Sequence, residues 1–135
     1  MKILIVVMFA VSTMTAFSQQ EIKLDEVKNH VDDSVKVRGI IKGIRYLQSA
    51  NGSPTFLNLG RAYPQQFLTI VFFQDARTKL GYIPTQEKDL NSVAVVTGKL
   101  TNFNGRLQIV ITNPIGAVKL TPYDRPGVDH KDTQD

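Results

Sequence analysis

Cysteine and tryptophan are absent from this chain of 135 residues, and histidine occurs only twice. Without cysteine there are no disulfides, no thiol nucleophile and no lipid anchor on an N-terminal cysteine. His30 and His130 stand near opposite ends, so no serine has a histidine partner of the kind that nucleophilic catalysis uses. Acids are sparse across the middle of the chain. Between residues 34 and 112 only Asp75, Glu87 and Asp89 occur, all in one connection. Paired catalytic carboxylates need convergent positions, which such a grouping does not offer. Gly98-Lys99 lacks the upstream glycine of a phosphate-binding loop. Asp129-His130-Lys131-Asp132 has metal-ligand residue types, but a terminal stretch of that composition is ordinarily solvated. We expect no enzyme, no cofactor and no metal.

Basic charge is present and unevenly placed. The net charge is +4, yet residues 34–112 hold ten Lys and Arg against those three acids, a surplus of seven. Such a body favours an anionic partner, unless its cations merely solubilise outward faces. The N-terminus has the build of a secretory signal. Lys2 precedes an apolar stretch over residues 3–11 that is too short to span a bilayer. Ala16 and Ser18 supply small residues at −3 and −1, so residues 1–18 form the expected signal and the cut falls before Gln19. The mature protein is then periplasmic or secreted. Residues 19–120 make one domain, large enough to bury its own core, and residues 121–135 a disordered polar tail.

Residues 34–47 organise the domain. Val35 and Val37 alternate with Lys36 and Arg38, the period of a strand. Gly39 and the pair Ile40-Ile41 interrupt the alternation, which predicts a bend there, with Ile40, Ile41 and Ile44 turned to the core. A short helix over 22–31 precedes this strand, with Leu24, Val27 and Val31 on one face. Asn51-Gly52 centres a turn, followed by strands over 56–60 and 67–73. The second of these is almost wholly apolar and is expected to be covered on both sides. Asp75 is placed to cap a helix over 76–80 that Gly81 closes, and Pro84 begins a further loop or single turn. Strands over 92–103 and 106–112 flank the hairpin turn Asn104-Gly105, and 117–120 adds a short edge. Glycines 39 and 98 sit at equivalent points of similar stretches, so both are expected at barrel corners. This order predicts an all-β fold: a five-stranded Greek-key OB-fold barrel with a short N-terminal helix and a short helix between strands three and four.

The ordered set Val-Lys-Val-Arg-Gly, Phe-Leu-Asn-Leu-Gly, Tyr-Pro, Val-Thr-Gly-Lys-Leu and Asn-Gly-Arg-Leu-Gln-Ile-Val resembles exported bacterial OB-fold proteins of the tRNA-anti-like type. The resemblance covers residues 25–120 and implies binding of nucleic acid. In OB-folds the binding face is formed by strands two and three, flanked by the loops after strands one and four. Binding a single strand needs aromatics for bases and cations for phosphates. The candidates are the aromatics Tyr46, Phe56, Tyr63 and Phe103, the cations Arg38, Arg45, Arg61, Lys99 and Arg106, with Lys36 beside them, and the polar Asn58. Asn102 and Gln108 are further polar candidates. Each aromatic has an alternative: Phe56 plugs the barrel or packs under the loop, Tyr63 pins its loop, Phe103 braces the hairpin, and Tyr46, near a strand end, divides evenly between binding and a structural role. The expected partner is single-stranded nucleic acid or an oligonucleotide. The second reading is a protein partner, as in a periplasmic envelope-stress adaptor. An oligosaccharide ranks last, for want of tryptophan.

Overall fold

The computed structural model describes residues 20–122. The expected signal, the tail from residue 123 onward and the cluster around His130 lie outside the described residues. In chain order the elements are β1 (Glu21–Ile22), a 3₁₀ helix (Leu24–Asn29), β2 (Ser34–Tyr46), β3 (Thr55–Leu59), β4 (Leu68–Phe72), α1 (Gln74–Leu80), α2 (Gln86–Asp89), β5 (Val93–Phe103), β6 (Arg106–Ile111) and β7 (Val118–Thr121). The strands lie in the order β1-β2-β3-β4-β6-β5-β7, and β2 also pairs with β5, which closes β2 through β6 into a barrel. The β4–β6 pair is parallel, and the other barrel pairs are antiparallel. This is the expected five-stranded OB-fold, with β1 and β7 added at its margins.

Alternation builds the core. Val35, Val37 and Ile41 of β2, Leu57 and Leu59 of β3, Ala94 and Val96 of β5, and Ile109 and Ile111 of β6 all point inward. Burying each of the larger side chains stabilises the fold by about 1.5–3 kcal/mol. All five residues of β4 are buried, as its almost wholly apolar run predicted. The fold therefore rests on period-two patterning, with two long strands shared between sheets.

The bend in β2 falls later than expected. Residues 34–40 pair with β5, and Ile41 to Tyr46 pair with β3. The register shifts between Ile41 and Gly43, so two residues there oppose one step of β3. Gly39 keeps the inward alternation, and Ile40 is 39% exposed rather than in the core. Gly39 answers a different need: a Cβ there would lie 3.1 Å from both Leu59 Cβ and Leu24 Cδ2. Gly98, by contrast, does stand at a corner, beside the residues where β5 passes from β2 to β6.

Three local expectations are corrected. The N-terminal helix is a 3₁₀ helix of six residues that buries Val27, while Val31 lies beyond it and exposed. The N-cap of α1 is Phe73 without a side-chain hydrogen bond, so Asp75 is not the cap. Gly81 does close that helix at φ 69°, in the left-handed region that glycine tolerates. After Pro84 the chain forms α2, whose Thr85 hydroxyl accepts from the Lys88 N–H.

Candidate functional site

The register shift in β2 aims the groove residues. Beyond it Ile44 turns inward, opposite Leu57, while Gly43 and Arg45 turn outward, opposite Asn58 and Phe56. Asn58 in turn faces Thr69, and Thr69 faces Gln108 across the parallel pair. A polar row, Gly43, Asn58, Thr69 and Gln108, thus crosses the outer face of four strands. Beside it Arg45 and Phe56 begin a second row. Gly43 leaves open the space over the Asn58 amide.

The loop between β3 and β4 forms the opposite wall. Gly60 has φ 85°, and a Cβ there would lie 2.5 Å from the Phe67 ring, so the tight exit from β3 requires glycine. The Gly60 N–H donates to the Ile40 carbonyl at 2.8 Å. The loop holds Tyr63 before a cis proline, and the Arg106 guanidinium stands 5.8 Å over the Tyr63 ring. Between these walls lies a groove of about 520 Å³. Its cations are Lys42, Arg45 and Arg106, and no acid among the described residues lines it. The floor is a hydrogen-bonded chain: Gln66 Nε2 donates to Thr69 Oγ1 at 3.1 Å, and Thr69 Oγ1 donates to Asn58 Oδ1 at 3.0 Å. Gln66 Oε1 is buried without a partner among the described residues. Gln86 of α2 donates to the Ile44 carbonyl at 2.9 Å and closes one end.

Of the ten sequence candidates, the groove gathers Arg45, Phe56, Asn58, Tyr63 and Arg106. Phe56 is half-buried on its wall and does not plug the barrel. The other five lie elsewhere. Arg38 is paired with Glu21 at 2.9 Å, Arg61 lies 5.0 Å over the Phe67 ring, and Lys99 is exposed opposite Ser34. Phe103 is 55% exposed at the hairpin end, directly opposite Arg106 but outside the groove lining. Tyr46 points away from the groove and stacks 4.7 Å from the Arg77 guanidinium. Asn102 serves its own hairpin by accepting the Gly105 N–H at 2.8 Å.

Sequence reasoning missed Lys42, Gln66, Thr69 and Gln86. Thr69 carried a signal, as the one polar residue of the run 67–73. Lys42 carried none, because its position follows from the register shift. Outside the groove, burial first and then the hydrogen bond and charge of Asp89 push the Tyr82 phenol far above its ordinary range. Among the described residues no group of histidines and acids could hold a metal, and no helix is long and apolar enough to cross a membrane.

No family model matches the chain, and no curated protein matches it. Among solved structures it is similar to a protein assigned as an aspartyl-tRNA synthetase from Leishmania major Friedlin, with TM-score 0.55 and 14% identity over 85% of this chain and 23% of that one. It is similar to the aspartyl-tRNA synthetase of Entamoeba histolytica, with TM-score 0.55 and 13% identity over 88% of this chain and 25% of that one. It is also similar to yeast Stn1 and Ten1, with TM-score 0.55 and 9% identity over 80% of this chain and 65% of that one. The chain thus spans about a quarter of each synthetase and just under two thirds of the yeast chain. At such identities the likeness is one of fold, and the fold shared is the OB barrel.

Proposed function

We propose that the protein is an exported, non-catalytic binding module whose groove takes single-stranded nucleic acid. The observation that carries this reading is the meeting of Lys42, Arg45 and Arg106 around one groove that no acid among the described residues lines. Cations there follow phosphates, and Phe56 and Tyr63 offer ring faces to bases. The Asn58–Thr69–Gln66 floor offers hydrogen bonds to base edges. Two of the similar structures carry tRNA in their names, which agrees with this reading. Export rests on the N-terminal pattern of residues 1–18.

The test is a titration of the mature chain into labelled single-stranded DNA and RNA, followed by fluorescence anisotropy at two salt concentrations. The expected result is weak binding that falls with salt, with a slope of log K on log salt of about −2 for three phosphate contacts. Absence of binding at low salt ends the proposal. A protein partner is the second reading. It is favoured by exposed apolar side chains away from the groove, chiefly Ile115 at 75% exposure. The polar floor and clustered cations of the groove argue against an apolar docking channel there.

A further inference from the structure

Arg77 is a charged side chain buried to 5% exposure, with no carboxylate beside it among the described residues. It projects from α1 beneath the Tyr46 ring. Its Nη1 donates to the Ser53 carbonyl, to Thr55 Oγ1 at 3.3 Å and to the Phe72 carbonyl at 3.2 Å. All three acceptors are neutral, and all are taken up by one nitrogen. Nε and Nη2 donate to no acceptor among the described residues, and Arg77 lines the floor of a second cleft. A buried guanidinium needs acceptors for its charge, and the Nε–Nη2 edge leaves two donors for an anion to meet.

The cleft has a volume of about 770 Å³ and shares no lining residue with the groove. Arg45 and Tyr46 are consecutive on β2 and point to opposite faces, Arg45 into the groove and Tyr46 into the cleft. Lys88 supplies the second cation, and no acid among the described residues lines the cleft. Asp89 does not line the cleft, and its carboxylate accepts the Thr85 N–H at 2.8 Å. The hydroxyls of Ser53 and Thr78 donate to the carbonyls of Gln48 and Gln74. The open edge therefore consists of the Arg77 fork and the Lys88 ammonium, bordered by the Tyr46 ring.

We propose that this cleft is a phosphomonoester site, in which the Nε–Nη2 edge of Arg77 grips two phosphate oxygens and Lys88 meets the third. A guanidinium edge matches phosphate bidentately. A phosphomonoester carries close to two negative charges at neutral pH and so balances two cations, whereas a single carboxylate balances only one. The space beyond the anion, along Tyr46 and Ile83, accommodates an organic group, either a small molecule or the phosphorylated end of a strand.

The test follows the Arg77 Nε–H resonance of the mature chain by NMR while phenyl phosphate is added, with phenol as the uncharged control. The expected result is a saturable shift with phenyl phosphate and none with phenol. Lys88→Ala, at an exposed position, keeps the fold and weakens the apparent affinity about threefold to tenfold. Arg77→Lys removes the fork; should it unfold the chain, Lys88→Ala still decides the matter. Arg106→Ala, in the groove, leaves the shift unchanged, so failure here and failure of the groove are separate results. Oligonucleotides with a 5′-phosphate or a 5′-hydroxyl then identify the source. Displacement of phenyl phosphate by the phosphorylated strand alone assigns a strand end, and displacement by neither assigns a small phosphomonoester. No saturable shift, an affinity that Lys88→Ala leaves intact, or equal displacement by both strands overturns the proposal.

Discussion

Arg106 and Arg77 carry the same group in opposite settings. Arg106 is exposed after a hairpin turn, lies over the Tyr63 ring and forms no ion pair among the described residues. Arg77 is buried, and through one nitrogen it holds the loop after β2, the start of β3 and the end of β4 together. The first offers charge to a ligand at little consequence for the fold. The second is part of the fold, and only its remaining edge is available to an anion. A cation's type thus says little about its use; its unpaired N–H groups and their access to solvent say much more.

The largest expected effect tests this contrast directly. Arg77→Ala leaves the Ser53 and Phe72 carbonyls and the Thr55 hydroxyl without their donor, and lowers stability by about 3 kcal/mol in urea unfolding. Arg106→Ala changes it by less than about 0.5 kcal/mol. Equal losses would erase the distinction. Next, Phe56→Ala weakens single-strand binding by about 1–3 kcal/mol in an anisotropy titration, while Tyr46→Ala, on the other face, leaves groove affinity unchanged. A third, smaller effect is one of salt dependence. Lys42→Ala and Arg106→Ala each flatten the slope of log K on log salt by about 0.7, and Lys99→Ala leaves it as it was. The smallest effect is local: Asn102→Ala removes the acceptor of the Gly105 N–H and costs about 0.5 kcal/mol, read from the same urea unfolding.

Much of the barrel was legible in the residues. Leu107, Ile109 and Ile111 alternate along β6, Asn104-Gly105 marks its turn, and Gly81 marks the end of α1, because each signal is local chemistry. The errors arose where a residue answers to a distant neighbour. Gly39 reads as a bend in isolation, yet it is small because Leu24 and Leu59 press against it. Asp75 reads as a cap, but the chain enters α1 two residues earlier, from Phe73. The candidate cations were legible as a set and not as a site. Arg38 is drawn off by Glu21, whose strand β1 was not foreseen, and Arg77 is enclosed by a loop more than twenty residues before it.

By itself the sequence determined that strands of period two would close into a basic OB barrel, because alternation and turn chemistry are properties of neighbouring residues. Only the tertiary structure decided which cations share a groove. One extra residue between Ile41 and Gly43 puts Ile44 inside and Arg45 outside. A strand keeps its faces only until such an insertion, after which every later side chain changes sides.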